Sequence, residues 1–214
     1  MDIAPGVRHF FFEAPERVAF TPGQFVSLSA DINGEIITRA YSLASSPCGN
    51  RFELCLNLVE GGAFSPYLFN LNPGDSVEMR PPLGTFMLRQ PVRDSVFIAT
   101  GTGIAPFRAM LPAALKEASI TLIFGVRHES HLLYRTEFEA INHPRFRFWP
   151  TLTRPGDKWT GRAGRVQNHL TEAIAGRADL DFYLCGMKAM VDGVRAILKN
   201  TGFDRKQIRS EKYD

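Results

Sequence analysis

Apolar and polar positions follow two different rhythms along this chain. In the first half they alternate in short runs broken by turn residues. Phe10, Phe11 and Phe12 lie in a strand-like stretch that ends at Pro15. After a Thr21-Pro22-Gly23 turn, Val26, Leu28 and Ala30 alternate with Phe25, Ser27 and Ser29 over residues 24–30. Asn33-Gly34 predicts a tight hairpin, because both positions tolerate positive φ. Strands are expected over 36–44 and 52–59, the latter alternating through Phe52, Leu54, Leu56 and Leu58. A short helix is expected over 65–69, and Pro73-Gly74 turns the chain into a strand at 76–79. Short strands at this spacing predict a small antiparallel β-barrel.

The second half changes period. Apolar runs at 95–99, 120–124, 146–152, 182–185 and 208–211 read as strands. Between them, helical spacing is expected after Gly103 (Phe107, Met110, Leu111, Leu115), over 132–141, over 166–175 and over 190–198. Strand–helix alternation of this kind predicts a doubly wound parallel α/β sheet. The expected organisation is an antiparallel barrel domain over 1–92 and an α/β domain over 93–214. The seam between them falls at residues 89–93.

Composition narrows the class without choosing a function. The 214 residues carry 25 Lys+Arg against 22 Asp+Glu, and 44% are hydrophobic. This is ordinary globular usage with enough apolar material for a core, which excludes a disordered or collagenous chain. A net charge of +3 with interspersed acids gives no footprint for nucleic acid. The 17 Phe point to aromatic-rich strands or to a flat ligand. Cys48, Cys55 and Cys185 form no CxxC, so neither a disulfide scaffold nor a zinc or iron–sulfur site is expected. His128 and His131 lack the further ligands of a metal set, and no metal site is expected. The N-terminus has no apolar h-region and no 18-residue apolar run occurs, so the chain reads as cytoplasmic with no membrane span.

Three local constellations carry candidate chemistry. Ala99-Thr100-Gly101-Thr102-Gly103-Ile104-Ala105-Pro106 follows an apolar strand and opens a helix. Such a turn lets backbone N–H groups meet a pyrophosphate, or serves packing alone. Arg39-Ala40-Tyr41-Ser42-Leu43-Ala44-Ser45 offers a cation, an aromatic ring and a hydroxyl on one strand. Alternation puts Arg39 and Tyr41 on one face and Ser42 on the other; a solvated edge strand has the same composition. Glu60-Gly61-Gly62-Ala63-Phe64-Ser65 precedes the short helix. Ser65 is expected to cap it, or its amide and those of Ala63 and Phe64 meet a second pyrophosphate.

Taken in order, these segments resemble the motifs of the ferredoxin–NADP(H) reductase family of flavoproteins. RAYSLAS is similar to its RxYS flavin motif, GGAFS to its pyrophosphate turn and ATGTGIAPF to its nicotinamide-nucleotide turn. Leu184-Cys185-Gly186 followed by Met190 is similar to the family's CG segment, and Glu211-Lys212-Tyr213 to its C-terminal Glu-x-aromatic ending. The resemblance implies an FAD-binding barrel and an NAD(P)-binding α/β domain. It places Arg39 on an FAD phosphate, with Ala40 beside it. Tyr41 stacks on the isoalloxazine, and Ser42 lies near flavin N5. The backbone of Cys55, Leu56 and Asn57 lines the flavin. Gly62, Ala63, Phe64 and Ser65 hold the FAD pyrophosphate, with Thr102 reaching it. Thr100, Gly101, Thr102 and Gly103 receive the nicotinamide dinucleotide, and Cys185, Gly186 and Met187 lie beside the nicotinamide. Glu211 closes the polar end of that pocket, and Tyr213 covers the other flavin face. Ser42, Cys185, Glu211 and Tyr213 are the catalytic candidates. The logic is orientation, since hydride transfer needs two rings stacked face to face between two domains.

Two departures are visible. The family's barrel has one more N-terminal strand than is legible here, where the chain starts at about the second. Asp214 follows Tyr213, where plant-type members end on the aromatic. Arg127, Arg154 and Arg162 resemble the arginines that grip the 2′-phosphate of NADP(H) in bacterial members, which favours NADP(H) over NAD(H). The expected activity is FAD-dependent NAD(P)H oxidation or its reverse. Its single-electron partner is a separate ferredoxin, flavodoxin or oxygenase component. The alternatives are a diaphorase-like reductase of free flavin, ferric chelates or quinones, and a flavin–nucleotide sensing subunit without turnover.

Overall fold

Segments of period two in the first half form antiparallel strands. The computed structural model describes residues 1–213; Asp214 lies outside the described residues. Strands β1 (Asp2–Ala4), β2 (Val7–Glu13) and β5 (Arg51–Asn57) make one three-stranded sheet, in the order β1-β2-β5. Strands β3 (Phe25–Ile32), β4 (Glu35–Ser42) and β6 (Glu78–Leu83) make a second, in the order β4-β3-β6. Asn33 and Gly34 join β3 to β4 with φ of 57° and 85°, the paired left-handed residues a two-residue hairpin requires. The two sheets meet where Leu43 pairs with Leu54. β4 and β5 are otherwise sheet-edge strands, so each carries a row of backbone groups with no ladder partner. Helix α1 (Phe64–Asn70) packs Phe64 and Leu68 into the core of this half.

Strand β5 contributes a buried side chain to a core on each of its faces. Phe52, Leu54 and Leu56 point into a core with Val26, Leu28, Leu43, Phe64 and Leu68. Cys55 points the other way, into a core shared with Phe107, Met110 and Leu133 of the second half. Alternation thus explains why one strand serves two cores.

The second half is a six-stranded parallel sheet, built from β7 (Ser95–Thr100), β8 (Ile120–Val126), β9 (Phe146–Leu152), β10 (Arg162–Ala163), β11 (Asp181–Met187) and β12 (Ile208–Tyr213). Their order is β10-β9-β8-β7-β11-β12. Helices α2 (Ala105–Glu117) and α3 (Arg135–Glu139) belong to one face, and α4 (Leu170–Ile174) and α5 (Lys188–Asn200) to the other. Within β7, Phe97 and Ala99 join the first core and Val96 and Ile98 the second. Tyr183 and Cys185 divide from Phe182 and Leu184 in β11 in the same way. Covering on both faces is why these strands read as unbroken apolar runs.

Several elements differ from expectation. The strand expected at 36–44 ends at Ser42, and the helix expected at 132–141 shrinks to Arg135–Glu139. Tyr134, just before it, takes φ 55°, a backbone well that non-glycine residues enter only when the surroundings demand it. Its hydroxyl lies 2.6 Å from His9 Nδ1 across the molecule, so a tertiary contact overrides the helical period. The helix expected at 166–175 splits into a 3-10 turn at Val166–His169 and α4, and stops at Ala175 (φ 48°) before Gly176. Strands β1 and β10 are too short to show a period.

Candidate functional site

The sheet of the second half reverses its winding between β7 and β11, and ligands of open α/β sheets bind at the carboxyl ends beside such a point. Thr100 to Gly103 leave β7 there, and Cys185 to Met187 end β11 beside them. Glycine is required by close approach. A Cβ on Gly103 would lie 2.3 Å from the Cys185 carbonyl oxygen, and one on Gly186 (φ 138°) 2.3 Å from Thr100 Oγ1. Gly101 differs: it takes φ 55° with nothing within 4 Å of a would-be Cβ. Of the two glycines of the turn, Gly103 serves packing and Gly101 serves backbone conformation beside open space. Pro106 sits in the first turn of α2, where its missing N–H costs nothing. Thr102 is buried, and Asn57 Nδ2 lies 3.5 Å from its hydroxyl. Met187 N–H donates to Thr100 Oγ1 at 3.3 Å, while the Met187 side chain stays exposed.

Ser42, at the end of β4, meets the end of β12. Tyr213 donates to Ser42 Oγ at 2.6 Å, and Ser42 donates to Glu211 Oε1 at 2.6 Å. Parallel pairing sets Glu211 opposite Cys185 and Tyr213 opposite Met187. Ser42 is thereby brought across 169 and 171 positions to Glu211 and Tyr213, beside Cys185 on the paired strand. Burial raises the Glu211 carboxyl above its ordinary range, and the Ser42 hydroxyl offsets part of that. Burial and the nearby Glu211 push the Cys185 thiol well up, so it stays a protonated, soft apolar contact. The Tyr213 phenol is pushed up by burial and by Cys185 and Glu211.

The Glu211 shift has a measurable sign. A carboxyl whose folded pKa exceeds its unfolded value of 4.5 contributes stability below that value and loses it as pH rises through the folded pKa. Glu211→Gln keeps an acceptor for Ser42 and removes the buried charge. Its thermal midpoint is expected above wild type at pH 7–8, with the gap closing toward pH 4.5. A gap that widens on acidification would show that the ionised form is the stabilising one.

On the edge of β4, Arg39 and Ala40 are exposed and Tyr41 is half-buried. Arg39 Nη1 donates to the Thr38 carbonyl and makes no ion pair among the described residues. The Tyr41 ring lies 6.2 Å from Phe64 at 24°, and burial raises its phenol to about 12. Cys55 and Leu56 are buried and Asn57 is exposed. Ser65 departs from expectation. Helix α1 has no side-chain cap, and Ser65 Oγ accepts from the Val59 N–H at 2.9 Å. The residue shapes the 59–65 turn, because the helix begins one residue before it. Gly61 within that turn has φ 72° and open space beside it.

The three arginines are not equivalent. Arg162 is held by Glu172 through two bonds of 2.5 and 2.6 Å, and its guanidinium lies 3.9 Å over the Trp149 ring. Arg127 and Arg154 are exposed and adjacent, since the Arg154 N–H donates to the Arg127 carbonyl at 2.8 Å. Sequence reading had no means to see Glu172, ten positions away, as the partner that occupies Arg162.

A cavity of about 430 Å³ adjoins Glu211 and is lined also by Phe25, Thr85, Phe86 and Arg209. These residues escaped the motif reading. The only sequence signal for Phe25 was its hairpin register, which sets it opposite Ser42. The donors fit a flavin dinucleotide and a nicotinamide dinucleotide: two open strand edges, a half-buried tyrosine beside Phe64, an Arg39 with no ion pair among the described residues, and glycine turns with open space at Gly61 and Gly101. No cluster of three or more metal-ligating side chains occurs among the described residues.

Known proteins agree with this architecture. The oxidoreductase FAD-binding domain family matches residues 1–88, and the oxidoreductase NAD-binding domain family matches residues 97–196. Ferredoxin–NADP reductase B of Sorangium cellulosum is 39% identical over 99% of this chain and 93% of its own length. The toluate 1,2-dioxygenase electron transfer component of Pseudomonas putida is 32% identical over 92% of this chain, which spans 60% of that protein. Among solved structures, the Amycolatopsis cytochrome P450 reductase GcoB superposes with a TM-score of 0.90 at 32% identity, over 99% of this chain and 66% of its own. A ferredoxin NADP+ reductase from Neisseria gonorrhoeae with bound FAD and NADP superposes at 0.86 with 25% identity, over 97% and 93%.

Proposed function

This chain belongs to the ferredoxin reductase-like flavoprotein family, and from that premise we propose that residues 1–92 hold FAD, that residues 93–214 hold NADP(H), and that single electrons pass to a separate small redox protein. As a member of that family it is an FAD- and NAD(P)-dependent oxidoreductase. FAD, when bound, exchanges two electrons with a nicotinamide as hydride and exchanges them one at a time with a carrier. The chain's own residues supply orientation and proton placement.

The observation that carries the reading is the Tyr213–Ser42–Glu211 chain of hydrogen bonds. It joins the flavin strand to β12 of the nucleotide sheet, beside the end of β11. Ser42 presents a hydroxyl whose proton direction is set by Tyr213 on one side and Glu211 on the other. Cys185 and Gly186 form a tight, dry wall, and Tyr213 caps it. Arg39 and the amides of the 61–65 and 101–104 turns meet phosphates. A ferredoxin or an oxygenase component as partner is supported by the relatives, a ferredoxin–NADP reductase and an oxygenase electron transfer component, and a flavodoxin would serve the same one-electron exchange. No described helix is long and apolar enough to cross a membrane, and we place the protein in the cytoplasm.

The 2′-phosphate falls to Arg127 and Arg154, since Arg162 is engaged elsewhere. Arg154→Ala is expected to raise KM for NADPH about tenfold, the worth of one charge-assisted hydrogen bond, and to spare NADH. Equal effects on both nucleotides would remove the assignment. The function itself is tested by anaerobic stopped-flow reduction with each nucleotide, followed by candidate one-electron carriers. Rapid bleaching of the flavin band by NADPH and reoxidation by a carrier is expected. A flavin that stays oxidised with both nucleotides would favour a sensing subunit. FAD that washes off during purification would favour a diaphorase.

A further inference from the structure

The nucleotide turn and the flavin strands must be held at a set separation, and an unassigned cation lies between them. Arg108 is in the first turns of α2, the helix that the 101–104 turn opens. Its side chain is only 21% exposed. Nη1 donates to the Ala44 carbonyl at 2.7 Å and to Glu53 Oε2 at 2.5 Å, and Nε donates to Glu137 at 2.8 and 2.9 Å. Its guanidinium carbon lies 4.8 Å over the Tyr134 ring. Ala44 is two residues beyond Ser42. Glu53 is two residues before Cys55 on β5, on the same face. One guanidinium therefore touches β5 and the segment that leaves β4, from the helix that carries the nucleotide turn.

Neighbouring contacts extend this junction. His9 on β2 lies opposite Cys55 and is 2% exposed. Its Nδ1 is 2.6 Å from the Tyr134 hydroxyl, and its Nε2 is 3.2 Å from Glu53 Oε2 without hydrogen-bond alignment. Burial lowers the His9 pKa, which keeps the ring neutral, so Arg108 is the cation of the cluster. Glu137 belongs to the same half as Arg108, and Glu53 and Ala44 to the other. Of the hydrogen bonds that the Arg108 side chain makes among the described residues, those to Ala44 and Glu53 span the halves.

We propose that Arg108 is a positioning residue that sets the distance between the nucleotide turn and the flavin strands by gripping the Ala44 carbonyl and the Glu53 carboxylate. This rests on the reading of the site given above. Loss of the grip leaves each cofactor's own contacts in place and lets the two rings drift, and a displacement near 1 Å at a reacting pair costs about 10²-fold in rate.

The experiment compares Arg108→Ala, Glu53→Gln and Glu137→Gln with wild type. FAD and NADPH dissociation constants are measured by titration, the reduction rate by anaerobic stopped flow, and backbone hydrogen exchange on the cofactor-free chain. Arg108→Ala and Glu53→Gln are expected to slow reduction about tenfold or more while both dissociation constants hold within about threefold. In the cofactor-free chain they should speed exchange at residues 43–45 and 101–105 together. Glu137→Gln should leave the reduction rate near wild type. Unchanged reduction in Arg108→Ala and Glu53→Gln overturns the proposal, as does a loss in Glu137→Gln equal to that in Glu53→Gln. A rate loss matched by an equal loss of FAD affinity also overturns it, because that is a folding effect. Should Arg108→Ala fail to fold, the two glutamine variants decide. Wild type that binds no FAD, or is not reduced at all, would instead sink the reading of the site.

Discussion

Ser42→Ala should slow anaerobic reduction by NADPH about 10²-fold, the scale on which a positioned proton-handling group contributes. The hydroxyl is the junction of the chain, accepting from Tyr213 and donating to Glu211. Alanine leaves a buried carboxyl without its donor and a buried phenol without its acceptor. Those two orphaned groups, rather than the lost oxygen alone, make the effect large. FAD affinity should fall by a smaller factor, because Arg39, Tyr41 and the 61–65 turn are untouched. Stopped-flow rates set against an FAD titration check both parts. A variant reduced at the wild-type rate would show that this hydroxyl is a spectator.

Gly103→Ala should be the most damaging single methyl in the nucleotide turn. Its Cβ would sit 2.3 Å from the Cys185 oxygen, 2.5 Å from the Cys185 carbonyl carbon and 2.7 Å from the Gly186 nitrogen. All three are backbone atoms of a strand paired on both sides, so nothing nearby can rotate away. Overpacking of this kind costs about 3 kcal/mol or more, equivalent to a drop of roughly 6–12 °C in Tm for a chain of this size. Gly101→Ala meets no neighbour and carries only the strain of a left-handed φ, about 1–2 kcal/mol. Thermal melts of the two variants should therefore rank Gly103→Ala well below Gly101→Ala. The opposite ranking would mean that the turn and β11 are not in close contact.

The backbone plan was legible wherever a local rule sufficed. Asn33-Gly34 announced its hairpin because two adjacent positive φ values admit few other residues. Residues 146–152 read as a strand and are one, and the apolar runs at 95–99, 120–124 and 182–185 mark strands covered on both faces. Chain order also placed the three motifs correctly relative to the elements. Legibility failed where a distant contact outweighed local preference. Tyr134 leaves the helical region to reach His9, 125 positions earlier. Ser65, a ready capping residue, satisfies the Val59 amide instead. Arg162, a plausible phosphate ligand by spacing, is stacked on Trp149 and paired with Glu172.

What the sequence by itself determined is most of the longer elements, their order and the chemical types at each turn, since these depend on side-chain period and on the φ that each residue tolerates. Which groups meet was decided only by the tertiary structure. Ser42 and Glu211 are 169 positions apart, and Arg108 and Glu53 are 55 apart. A hydrogen bond acts over about 3 Å, so its partners are chosen by how strands and helices are layered, and no periodicity along the chain encodes that.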